Sequence, residues 1–192
     1  MNSAAFRGPY GTATAFCDEL FAFITVAGQS RYDETVTQLE HGLQAAALAE
    51  AANCDEAVQI AALLHDIGHL LLDEHTFPTR DLRHEIVGAR FLTRWFGPEV
   101  GAPVALHVKA KRYLVAIDPG YAQGLSAASI RSLRLQGGPM TTTEAEGFGR
   151  LPQAGAAIAL RRWDDAAKQQ NASVPDLEYW RAAVSRTVGA RR

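Results

Sequence analysis

The chain has 192 residues, 47% of them hydrophobic, which is enough for one domain with a substantial core and too little for two full ones. A formal net charge of -2 and a pI near 6.3 give no electrostatic argument for nucleic acid or an anionic membrane as partner. Two cysteines, Cys17 and Cys54, stand far apart with no CxxC spacing, which argues against a disulfide framework or a thiolate zinc site and reads as reduced core thiols.

The N-terminal residues lack a signal-peptide pattern and no later run is apolar for about 20 residues, so a soluble, cytoplasmic protein is expected. From Thr14 to Ala27 the spacing of Phe16, Leu20, Phe21, Phe23 and Ile24 predicts a first helix, stopped by Gly28. Val36, Leu39, Leu43 and Ala46, in an alanine-rich stretch, predict a second over Glu34 to Ala52 that carries His41. Asp55 can cap a third running to about Leu72, followed by a loop over residues 73–81.

A fourth helix is predicted from Leu82 to Phe96 with His84, and a fifth begins at Pro98 and carries His107 and Lys111 despite Pro103. Ser126 can cap a helix through Leu135, which Gly137-Gly138-Pro139 ends, and Thr143 with Glu146 has capping-box spacing. Two more helices are predicted near Ala154–Lys168 and Pro175–Val188. Without an alternating strand pattern or a repeat, the expectation is a compact all-α bundle of eight or so helices.

His65 and Asp66 are adjacent in the apolar run from Ala61 to Leu72, and His69 follows one turn later. An imidazole and a carboxylate are costly in such a segment unless a metal compensates them. A single helical histidine is more often a satisfied core or surface group. Five on predicted helices, His41, His65, His69, His84 and His107, suggest a metal site in a bundle core.

The order His41, His65-Asp66, His84, His107, Asp164 resembles the HD-domain superfamily of metal-dependent all-α enzymes, here as a single domain over residues 1–192 with its core at about 30–170. Five stretches are similar to one subgroup: residues 38–41, His65 to His69, Lys109 to Leu114, Leu135 to Met140 and Leu160 to Asp165. That subgroup is the mixed-valent diiron oxygenases that cleave 1-hydroxy-2-ammonioethylphosphonates, relatives of myo-inositol oxygenase. The resemblance implies two irons and dioxygen as co-substrate. His41, His65, Asp66 and Asp164 would hold one iron, and Asp66, His84 and His107 the other. It further implies that His69 donates to the substrate, and that Lys111, Arg161 and Ser129, with Ser126 as its cap, bind the phosphonate. A dianionic head group suits an ammonium, a guanidinium fork and helix N-terminal amides. Lys109, Arg112 and Arg162 read as solvated surface cations.

The subgroup's better-known members carry Tyr-x-x-Glu ahead of the first histidine, the tyrosine closing over iron until substrate displaces it. Here Tyr32-Asp33-Glu34 stands in its place, with Tyr32 one position nearer to His41 and with two carboxylates where the cationic end would lie. A trimethylammonium group donates no N–H bonds and is held by diffuse negative charge and aromatic faces, which favours the N-trimethyl substrate, giving glycine betaine and phosphate, over the primary amine, giving glycine. The principal rival is an HD phosphohydrolase, since two bridged metals equally generate a hydroxide. The other is a metal-stabilised regulatory module without turnover. The expected partner is a small phosphonate, with neither nucleic acid nor membrane, and nothing in the sequence fixes an oligomeric state.

Overall fold

In a computed structural model, residues 12–31, 36–72 and 82–189 are described, and they form an all-α architecture. In chain order the helices are α1 (Ala13–Ala27), α2 (Gln38–Ala51), α3 (Glu56–Leu64), α4 (Ile67–Leu72), α5 (His84–Phe96), α6 (Pro98–Ile117), α7 (Ala127–Leu135), α8 (Thr142–Gly149), α9 (Ala154–Ala166) and α10 (Arg181–Gly189). Single 3-10 turns lie at Tyr121–Gly124 and Glu178–Trp180. Among the described residues the sole β feature is an isolated bridge between Arg31 and Thr37.

Most boundaries follow local chemistry, and several correct the expectations above. The second helix starts at Gln38 rather than Glu34, because Thr37 and Glu40 form a reciprocal capping box that satisfies the free amides there. The predicted third helix is two: α3 ends at Leu64, and α4 begins at Ile67. The Ala62 carbonyl takes a bond from the His65 ring at 2.8 Å, a side-chain competitor to the helical ladder. Asp55 holds the cap position without a side-chain cap bond. The box expected at Thr143 and Glu146 lies two residues earlier, at Thr141 and Glu144. The last predicted helix begins at Arg181, after the 3-10 turn. Ser126 does cap α7, accepting from the Ser129 amide.

The main apolar core runs from α1 through α2, α3, α5 and α6 to the C-terminal segment. There Phe16 stacks on Trp95 at 4.3 Å between ring centroids, and Trp180 is fully enclosed. A smaller cluster under α8 holds Ala110, Met140 and Phe148. Of the two cysteines, Cys17 belongs to the core, its thiol pushed up by burial, whereas Cys54 is only half-buried. No helix among the described residues is long and apolar enough to cross a membrane.

What the packing accomplishes is convergence. Helix α2 packs on α3 and α9, α4 on α5, and α6 on α5 and α9, so five segments distant in sequence turn toward one point. Two glycines set the closest approaches. A Cβ on Gly42 would meet the Leu63 carbonyl oxygen at 2.5 Å, and one on Gly68 would meet the His84 carbonyl oxygen at 2.0 Å. Each contact holds together two segments that carry histidines of the site.

Candidate metal centre and anion cavity

His41 comes from α2, His65 and Asp66 from the junction of α3 and α4, His84 from the first residue of α5, His107 from α6 and Asp164 from α9. All six are buried. The Nε2 atoms of His41 and His65 lie 3.2 Å apart, and Asp66 Oδ2 is 3.8 and 3.6 Å from them. Asp164 Oδ1 lies 3.4 Å from His41 Nε2 and 4.0 Å from His65 Nε2. On the other side, Asp66 Oδ1 is 3.7 Å from His84 Nε2 and 3.8 Å from His107 Nε2, and those two nitrogens are 3.3 Å apart. Asp66 therefore offers one oxygen to each cluster.

These residues fit a pair of metal ions on their own geometry. The Nδ1 atoms of His41, His65 and His107 sit 2.8, 2.8 and 2.7 Å from the carbonyl oxygens of Ala167, Ala62 and Val104. Each ring accordingly donates through Nδ1 and presents an acceptor Nε2 inward, the arrangement that orients histidine ligands. For His41 and His65 this sets two acceptors face to face, an arrangement that a cation between them would stabilise. Ligand atoms about 2.1 Å from a common ion and about 90–110° apart lie roughly 3.0–3.4 Å from one another, close to the spacings seen.

The electrostatics agree. Burial opposes ionisation of Asp66, but the surrounding His65, His69 and His84 outweigh it and hold the carboxyl well below the usual range. Asp164 is depressed likewise, chiefly through Arg161 against the cost of burial. Burial lowers His84, and brings His107 down to about 4, so both rings remain neutral ligands at neutral pH.

A cavity of about 180 Å³ opens from the second cluster. Its lining joins the candidate metal ligands Asp66, His84, His107 and Asp164, with His69, to Lys111, Ser129, Ser132, Gln136 and Arg161. Lys111 is 2% exposed and donates to Ser132 Oγ at 2.6 Å; burial brings its ammonium down to about 8. Arg161, 3% exposed, donates to Asp164 Oδ2 at 2.7 Å and to Ser129 Oγ at 3.3 Å. Gln136 Oε1 is buried with no hydrogen-bond partner among the described residues, as expected of a cavity built for a polar ligand. A buried lysine and arginine with hydroxyls between them have the chemistry to hold an anion beside the candidate metal ligands.

The expected residues largely converge. His69 stacks on His84 with 3.7 Å between ring centroids, and its Nε2 lies 3.9 Å from Asp66 Oδ1. Ser126 is absent from the cavity lining and serves as the cap that aims Ser129. Tyr32, Asp33 and Glu34 lie outside the described residues. Arg112, read as a surface cation, instead donates to the Gly138 carbonyl at 2.8 Å and ties α6 to the Gly137-Gly138 turn. Sequence reasoning gave no role to Ser132, Gln136, Tyr121 or Asp165, although Gln136 and Asp165 fall in stretches that carry the resemblance. Spacing could have found two of them, since Ser132 is three residues after Ser129 and Asp165 four after Arg161.

An all-α bundle that gathers a His-Asp pair, three more histidines and a distal aspartate into two adjoining groups that could each hold a metal ion defines a class. The chain belongs to the HD-domain family, whose profile matches residues 39–143. It is 50% identical over 169 residues to a hydroxymethylphosphonate dioxygenase of Gimesia maris, covering 86% of this chain and 84% of that protein. It is 42% identical over 158 residues to a glycine-betaine-forming [1-hydroxy-2-(trimethylamino)ethyl]phosphonate dioxygenase of Leisingera caerulea, covering 81% of each. An uncharacterized protein of Acanthamoeba polyphaga mimivirus is 36% identical over 159 residues, 80% of this chain and 73% of that one.

Proposed function

We propose that this chain is a single-domain, cytoplasmic dioxygenase that cleaves the carbon–phosphorus bond of a 1-hydroxyalkylphosphonate. One R–CH(OH)–PO₃H₂ and one O₂ give R–COOH and H₃PO₄, so the atoms balance with dioxygen as the sole oxidant. The observation that carries the reading is the joining of two elements in one cavity: residues of the two groups that could hold metal ions, and buried Lys111, Arg161 and Ser129. The two relatives named as phosphonate dioxygenases support it.

A mixed-valent iron pair, held by His41, His65, Asp66 and Asp164 on one side and Asp66, His84 and His107 on the other, would supply dioxygen activation and a Lewis-acidic point for substrate chelation. The chain's own part is binding and orientation. Lys111 Nζ, the Arg161 guanidinium and the Ser129 hydroxyl hold phosphonate oxygens, so that carbon 1 and its hydroxyl face the metal ligands. His69, held by its ring contact with His84, donates toward the substrate.

For the substituent on carbon 1, the sequence Tyr32-Asp33-Glu34 favours a cation, the N-trimethyl form first. The 50% identity to a relative named for hydroxymethylphosphonate favours a second reading, in which R is hydrogen. Initial rates on both substrates and on the primary amine decide. A higher kcat/KM for the N-trimethyl compound supports the first reading, and preference for hydroxymethylphosphonate the second. Electron paramagnetic resonance of protein from iron-replete cells should show a coupled Fe(II)/Fe(III) pair; zinc with no such signal would contradict it.

A further inference from the structure

Arg161 is more constrained than an arginine that only meets a substrate needs to be. Its Nη1 donates to Asp164 at 2.7 Å and its Nη2 to Ser129 Oγ at 3.3 Å, which fixes the edge that faces the cavity. The adjoining edge, which shares Nη2, is engaged as fully: Nε donates to the Tyr121 hydroxyl at 3.1 Å and to Asp165 Oδ2 at 3.1 Å, and Nη2 also reaches Asp165 Oδ1. The Tyr121 hydroxyl in turn donates to Asp165 Oδ2, closing a ring of three groups with the guanidinium. Tyr121 sits on the 3-10 turn between α6 and α7, and Asp165 one turn beyond Arg161 on α9, so the ring ties two parts of the fold together at this point. Neither Tyr121 nor Asp165 lines the cavity.

We infer that Tyr121 and Asp165 are positioning residues that lock the Arg161 guanidinium in the one orientation serving both the metal ligand Asp164 and the anion end of the cavity. This inference rests on the reading of that end as a phosphonate site. A planar fork gives two good bonds only in its own plane, so an arginine free to rotate about its last torsions would lose one of its two tasks. Asp165 also supplies the second carboxylate that lets a guanidinium stay buried without drawing Asp164 into a two-pronged pair and off its metal-facing orientation. Burial keeps Tyr121 a neutral phenol, able to accept from Nε and donate to Asp165 at once.

The test uses iron-loaded enzyme without oxygen, titrated with inorganic phosphate in a calorimeter, alongside steady-state rates in air. Asp165→Asn should weaken phosphate about tenfold and Tyr121→Phe about threefold, with two irons per chain retained. KM should rise by much more than kcat falls. Asp165→Glu should recover part of the loss. Phosphate binding by Asp165→Asn equal to wild type would overturn the inference, as would a fall in iron content that accounts for the whole defect. Wild-type enzyme that binds phosphate but cleaves no hydroxyphosphonate would sink the proposed reaction while leaving the lock to be judged on binding. Wild-type enzyme that binds no phosphate would overturn both.

Discussion

At Lys111 two requirements conflict. The ammonium must be buried to hold an anion away from water, and burial disfavours its charge, bringing it down to about 8. The protonated form is the one that binds, so KM for the phosphonate should rise as pH climbs through roughly 8, and Lys111→Arg, charged throughout, should flatten that rise. Loss of the cation in Lys111→Ala should raise KM roughly ten- to hundredfold, the worth of a charge-assisted hydrogen bond. A pH-independent KM in the wild type would contradict this account of Lys111. For the ligands, His84→Ala should leave one iron per chain by metal analysis and abolish turnover with little change in far-UV circular dichroism. Global unfolding of that variant would favour a structural role instead.

The approach of α4 to α5 explains how the second metal cluster is held. A Cβ on Gly68 would meet the His84 carbonyl oxygen at 2.0 Å and the Gly88 amide nitrogen at 3.0 Å, both of them backbone atoms that cannot swing away. Gly68→Ala should therefore push the first turn of α5 outward and carry His84 from Asp66, costing about 1–3 kcal/mol of overpacking. The measured result should be loss of one iron of two while the His41, His65 and Asp164 side survives. Two irons at full activity would show that the helices adjust freely. At this scale the sequence was informative about which helices exist, since apolar spacing and cap residues are local signals. It was poor at the break between α3 and α4, because the competitor for the Ala62 carbonyl is the ring of a residue that also has to face a metal. The Thr37 and Thr141 boxes were missed because several threonines had suitable spacing, and spacing alone does not choose among them.

For the molecule as a whole, the six candidate ligands come from α2, the α3–α4 junction, α5, α6 and α9, so a metal pair held by them would tie the bundle together. Removing it with a chelator should lower Tm. At metal concentrations about 1,000 times Kd the linkage is worth about 4 kcal/mol, which for a chain of this size corresponds to roughly 8–16 °C, read by calorimetry. An unchanged Tm would mean that the ligands are held by packing alone. The candidate metal ligands were legible in the sequence through the costly His65-Asp66 pair in its apolar run and through the family resemblance carried by the order of His41, His84, His107 and Asp164. The supports, Tyr121, Asp165, Ser132 and Gln136, were not, because a tyrosine in a turn or a second aspartate on a helix is unremarkable until the fold brings it to Arg161 or to the cavity wall.

The most direct test of the proposed reaction is to follow oxygen consumption and phosphate release together, on iron-loaded enzyme given a 1-hydroxyalkylphosphonate. The account predicts one phosphate per O₂ consumed and no phosphate under argon. Phosphate released at the same rate without oxygen, or from simple phosphate esters under argon, would contradict it.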